Sequence, residues 1–253
     1  MPVIAIFTHT TDRTVRPPHW YLYHHGVAIA WAGGAAFVVS LLYLSYFFLV
    51  TLGSSAGDPS TISRAVGIDV LLFAAFALHH SVLARSGVKR LVSRMIGARF
   101  ERAAYVWIAS LLAIAMCALW QPVAGLMYSM HGWWPLPLWA LQAFGAGFII
   151  SAVRVIDPLE LAGIRQAAGQ AATGSLKIVG PFRIVRHPIY LGWMLLVFSA
   201  PTMTANRLLF AAMSSLYLIL AIPWEESSLV EGHGDRYRDY QRLVPWRVIP
   251  GIW

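Results

Sequence analysis

The sequence predicts an all-α, polytopic integral membrane bundle of about five spanning helices, closed by a C-terminal helical hairpin with a cytoplasmic cofactor pocket. Three observations lead to the fold class. Hydrophobic residues make up 58% of the 253 positions and charged residues only 12%, about half the charge a soluble domain carries, so the chain has too little polar surface to cover itself. Its apolar residues lie in continuous stretches close to the roughly 20 residues that a helix needs to cross hydrocarbon. Barrel strands would instead alternate apolar and polar in segments of about ten residues, and helices and closed barrels are the only structures that span.

The first span is expected from Gly26 to Val50, ended by the Gly-, Ser- and Pro-rich stretch from Gly53 to Ser60. A second runs from Ala65 to Ala84, and residues 85–102 follow as a basic segment with interleaved apolar residues, the pattern of an interfacial amphipathic helix. A third span is expected from Ala103 to Tyr128. The aromatic turn from His131 to Trp139 resembles an interface belt, and a fourth span then reaches Ile156. Residues 157–188 are too hydrophilic to cross. Two shorter apolar runs, Ile189 to Pro201 and Leu208 to Pro223, read as a hairpin whose arms are marginal for a full crossing. The tail reads as an amphipathic helix followed by a Pro-punctuated end. One domain covers residues 1–253, with four spans in 26–156 and a cofactor-binding region in 157–253.

Formal net charge is +8, yet the basic residues flank apolar runs, so the expected contact is anionic headgroups of membrane lipids and no nucleic acid. All 19 Lys and Arg residues except Arg64 and Arg207 fall on the side holding the N-terminus, the 85–102 segment, the 154–186 segment and the tail. By the positive-inside rule that side is cytoplasmic, as for a bacterial inner-membrane protein with both termini inside. The N-terminus lacks a basic region followed by a long apolar one, so no cleaved signal peptide is expected. Cys117 is the single cysteine, which excludes an intramolecular disulfide and a Cys-rich metal site and leaves a small core residue; no metal is expected.

The segment most informative about chemistry is Gly180 to Gly192, GPFRIVRHPIYLG, coupled to Glu225 and Glu226 about forty residues later. Pro188 suits the first position of a helix, where its missing N–H costs nothing. That helix start offers amides and a positive dipole end, with Arg183, Arg186 and His187 beside it, as a carboxylate or phosphate would need. Two adjacent acids at the end of an apolar run are poorly placed unless water or a cationic or hydroxyl-rich ligand meets them. An anion site and a cation site within one hairpin suit an amphoteric ligand. The bland alternatives are a loop-to-membrane anchor for Arg186 and His187 and a solvated helix start for the acids. Tyr237 and Tyr240 share a helical face, on which they stack on a planar base or pack on the membrane surface. His79 and His80, at the cytoplasmic end of the second span, are functional candidates as intramembrane ionisable residues, or interfacial histidines bonded to backbone.

The combination of RHPIY (186–190), EESSL (225–229), HGDRYRDY (233–240) and VIP (248–250) resembles the isoprenylcysteine carboxyl methyltransferase and phospholipid methyltransferase superfamily, membrane enzymes that use S-adenosylmethionine. HSVLAR (80–85), ERAAYVWIAS (101–110), LELAGIRQ (159–166) and APTMTANRLLFA (200–211) are similar to the branch of methanethiol S-methyltransferases and NnrU-like proteins, which extends the resemblance over most of the chain. It implies a cofactor lined by Gly174, Ser175, Leu176, Lys177, Phe182, Arg186, His187, Pro188, Ile189 and Tyr190, with Glu225 and Glu226 at its polar end. It also favours His80 over His79 as a catalytic base. Where the prenylcysteine enzymes carry a substrate-handling arginine one turn before the acid, this chain has Ala221, so a small or uncharged acceptor is expected. The implied reaction is methyl transfer from S-adenosylmethionine to a small thiol, methanethiol giving dimethyl sulfide. Competing readings are a lipid or isoprenylcysteine acceptor, an NADPH-dependent membrane reductase, and a non-enzymatic NnrU-like membrane protein.

Overall fold

The computed structural model describes residues 19–83, 86–170 and 176–253. Among the described residues, five helices are long and apolar enough to cross a membrane: α1 (His19–Leu49), α2 (Ile62–Val82), α4 (Ala98–Leu119), α5 (Pro135–Ile156) and α9 (Ala205–His233). Between them lie α3 (Ser86–Ile96), the short helices α6 (Pro158–Leu161) and α7 (Ile164–Ala167), the eleven-residue α8 (Pro188–Phe198), and α10 (Asp235–Leu243). The chain is an integral membrane protein of the all-α class.

The basic segment after α2 is not one helix. Gly97, at φ +86°, breaks it into the surface helix α3 and the first turn of α4, a conformation that glycine adopts at no steric cost. On α3, Leu91 and Met95 stay exposed beside basic neighbours, as on a helix lying in the interface plane.

Two spans depart from expectation. The third ends at Leu119 rather than Tyr128, because the chain turns away before Pro122. The amides freed by this exit find side-chain acceptors: Gln121 donates to Asp69 Oδ1 at 2.8 Å and Val123 to Asn206 Oδ1 at 2.9 Å. Such replacement is obligatory where water is scarce. Leu126–Ser129 then forms strand β1, antiparallel to β2 (Thr202–Thr204). The last span does not stop at Pro223 but continues through it to His233, 29 residues in all, about 44 Å of helix. Of the expected hairpin arms only α8 is short, about 16 Å, and the extended residues leading to β2 carry the chain onward.

This end of the bundle is tied by Arg207. Its Nη2 donates to Leu49 O at 2.7 Å, its Nη1 to Thr202 O at 2.5 Å and its Nε to Phe48 O at 3.3 Å, so a cation caps the carbonyls that end α1. Thr204 Oγ1 also donates to Leu52 O. Phe47, Phe48, Phe73, Trp120, Met203 and Phe210 pack beneath, with Cys117 buried among them as a small core residue.

α8 leans on α5 at Gly145 and Gly192, where a Cβ on either would stand 2.7 Å from the other's carbonyl oxygen. Small residues here permit the close backbone approach that membrane helices use to pack.

Candidate active site

At the opposite end, Pro188 opens α8 as its first residue and His187 is the N-cap. The amides of Arg186 and His187 donate to Trp246 O at 2.9 Å and Arg247 O at 2.8 Å, so the segment after α10 lies along the start of α8. Arg186 itself faces inward: its Nε donates to Glu226 Oε1 at 2.6 Å, and its Nη1 to Val244 O at 2.7 Å and Pro245 O at 2.8 Å. Glu226 accepts further from Gln241 Nε2 and from Arg247 Nε, both at 3.3 Å. Arg186 and Glu226, both expected at the ligand, are therefore bonded to each other and to protein groups, and they fasten α8, α9, α10 and the tail together.

Glu225 points elsewhere. Its Oε2 accepts from Tyr190 at 2.6 Å and lies 3.5 Å from His187 Nδ1. Among the described residues no group bonds to its Oε1, although only 10% of the side chain is exposed. His187 bridges the two acids, with Nε2 3.3 Å from Glu226 Oε1. Burial opposes a charge on His187, but its hydrogen bonds to Glu225 and Glu226 and their negative charges outweigh that and raise its pKa above the ordinary value.

His80 sits in a second polar cluster. Its Nδ1 is 2.7 Å from the Tyr105 hydroxyl, its ring stacks on Phe76, and Tyr217 meets it edge-on. Tyr217 in turn lies 3.1 Å from Ser81 Oγ. Tyr105, Tyr190 and Tyr217 all interact electrostatically with Glu225, which places the histidine cluster and the carboxylate in one neighbourhood. His79 stacks on Tyr105, at 5.5 Å between ring centroids.

The remaining expected residues divide. Leu176 and Phe182 pack against Leu229, Tyr237, Tyr240 and Val244. Ile189 packs beside Tyr190, Ile222 and Val248. Lys177 donates to Val155 O at 3.1 Å, capping the end of α5. Gly174 and Ser175 lie outside the described residues. Tyr237 and Tyr240 are buried rather than on a surface, and Tyr240 donates to Phe182 O at 2.7 Å. Sequence reasoning missed Tyr105, Tyr217, Gln241 and Arg247. Tyr105 lies within ERAAYVWIAS, so that motif was its one signal; nothing local marks the others.

Similarity to characterised proteins bears on what this arrangement does. The chain is 32% identical to methanethiol S-methyltransferase 2 of Bradyrhizobium diazoefficiens over 233 residues, covering 85% of this chain and 86% of that protein. It is 33% identical to methanethiol S-methyltransferase of Mycobacterium tuberculosis over 232 residues, covering 85% and 94%. The chain belongs to the methanethiol S-methyltransferase family. Nurim of Xenopus laevis, 28% identical over 210 residues and covering 74% of this chain and 73% of its own length, is also similar to it. No family model and no solved structure matches the chain. Membership makes the chain an enzyme that needs a methyl donor.

Proposed function

We propose that the chain transfers a methyl group from S-adenosylmethionine to methanethiol, giving dimethyl sulfide. The observation that carries this reading is Glu225, a buried carboxylate held by Tyr190 and His187, whose charge is felt by the tyrosines that flank His80.

The residues present fit the donor. S-adenosylmethionine carries an ammonium, ribose hydroxyls and a positively charged sulfur, and the Glu225 carboxylate would accept from the ammonium or the hydroxyls while its charge would favour the sulfonium. Aromatic faces around that carboxylate also attract a sulfonium. Leu176, Lys177, Phe182, His187 to Tyr190 and Glu225 would hold the donor, with Arg186 and Glu226 acting as the frame that fixes them. When bound, the donor supplies an electrophilic methyl carbon.

The chain's own part is to hold the acceptor in line and remove its proton. A thiol attacks as thiolate, and a small alkyl thiol is only slightly ionised near neutral pH. Neutral His80 takes that proton. The thiolate sulfur then bonds to the methyl carbon as the carbon's bond to the donor sulfur breaks, its electron pair staying on that sulfur. A hydrocarbon setting keeps water from competing and admits a volatile, apolar thiol. Ala221 leaves no arginine there to pair with an acceptor carboxylate. The positive side of the bundle, which carries this site, is read as cytoplasmic, where the donor is made.

Headspace gas chromatography of the purified enzyme with S-adenosylmethionine and methanethiol tests this. Dimethyl sulfide should accumulate with the wild type and, at subsaturating donor, far more slowly with Glu225→Gln. Methylation of a phospholipid or prenylcysteine analogue instead would overturn the acceptor. Calorimetric binding of NADPH with none of S-adenosylhomocysteine would overturn methyl transfer altogether.

A further inference from the structure

The reading of His80 as base leaves open what keeps its ring in the right tautomer and direction. An imidazole on a helix end rotates and exchanges its two N–H tautomers, and only one of its nitrogens can face the thiol. The His80 ring is bounded by Phe76 on one face and the edge of Tyr217, while Nδ1 lies 2.7 Å from the Tyr105 hydroxyl. Tyr105 is itself immobilised: it is 7% exposed, His79 stacks on its ring, and the Arg102 guanidinium lies 5.1 Å from its centroid. Arg102 is anchored in turn, its Nε donating to Leu161 O at 3.1 Å.

We propose that Tyr105 is the positioning residue for His80, its hydroxyl oxygen accepting from Nδ1–H so that Nε2 carries the lone pair that removes the thiol proton. The inference rests on the proposed role of His80. A second-neighbour group that fixes tautomer and orientation is what makes an imidazole effective as a base, and loss of the correct tautomer alone is costly in enzymes that depend on it. The bond also grows stronger as the reaction proceeds. When the thiol proton reaches Nε2 the ring becomes a cation, and the Nδ1–H bond to Tyr105 becomes charge-assisted. Tyr105 therefore favours the protonated state of the base, in which the thiolate is present, over the resting one. The proton then leaves Nε2 for water after the thioether departs, returning the ring to neutral.

Tyr105→Phe removes only the hydroxyl and keeps the ring that Arg102 and His79 pack on, so folding should persist. Turnover with S-adenosylmethionine and methanethiol should fall about ten- to a hundredfold, with the KM for the thiol and the affinity for S-adenosylhomocysteine unchanged. Raising pH should recover part of the loss, as it should for His80→Ala, because solution then supplies thiolate. The double variant His80→Ala, Tyr105→Phe should be no slower than His80→Ala alone. Multiplying losses would show that Tyr105 acts independently of His80 and overturn the proposal, as would a wild-type rate in folded Tyr105→Phe. A wild-type rate in His80→Ala is a different failure: it removes the base itself, and Tyr105's role with it.

Discussion

The Arg186 guanidinium donates to Glu226 at 2.6 Å across forty residues of sequence, with both side chains 6% exposed, and it also takes the carbonyls of Val244 and Pro245. Its neighbour Glu225, one residue from Glu226 in the chain, is turned toward Tyr190 and His187. Adjacent acids on a helix diverge by about 100°, and here that divergence separates a fastening from a ligand group.

Glu226→Gln should therefore act on stability first. Removing one member of a buried ion pair leaves the other charge uncompensated, at a cost of about 3 kcal/mol. The thermal transition in detergent should drop markedly for Glu226→Gln and much less for Glu225→Gln. Equal losses would contradict the division between the two acids.

Glu225→Gln should instead weaken S-adenosylhomocysteine binding by at least about tenfold, the scale of a lost charge-assisted hydrogen bond. Isothermal calorimetry on the folded variant reads this, and unchanged affinity would remove Glu225 from the donor site.

The raised pKa of His187 makes stability depend on pH. The folded state holds its proton more tightly than the unfolded chain, so the stabilisation is complete below the ordinary value of 6.5 and is lost as pH climbs through the higher folded value. Thermal transitions of the wild type should fall on the alkaline side of 6.5, and His187→Asn should flatten that decline. A decline of the same size in the variant would assign it to another group.

Gly192→Ala should loosen the packing of α8 on α5, because the new methyl would meet Gly145 O at 2.7 Å and the backbone has to move. Overpacking of this kind costs about 1–3 kcal/mol. Thermal unfolding should show it, whereas alanine at Gly147, where a Cβ meets nothing within 4 Å, should be tolerated.

Orientation can be read with an impermeant thiol reagent, since the native Cys117 is buried. A cysteine at exposed Ser54 should label from outside intact cells and one at exposed Asp239 should not. The reverse pattern would place the candidate site on the non-cytoplasmic face.

The sequence by itself determined that this chain lives in a bilayer, how many helices cross it, and which motifs gather at the basic end. Composition and run length suffice for that, because lipid demands long apolar helices whatever their partners. It also pointed to 186–190, Glu225 and His80, through motif resemblance. Tertiary structure alone decided the exit of α4 at Leu119, since it depends on distant groups, Asp69 and Asn206, that accept the freed amides, and it alone showed α9 continuing through Pro223. It alone separated Glu225 from Glu226 and brought Tyr105 to His80. Direction and partnership of a polar side chain are set by elements far away in sequence, and no local pattern encodes them.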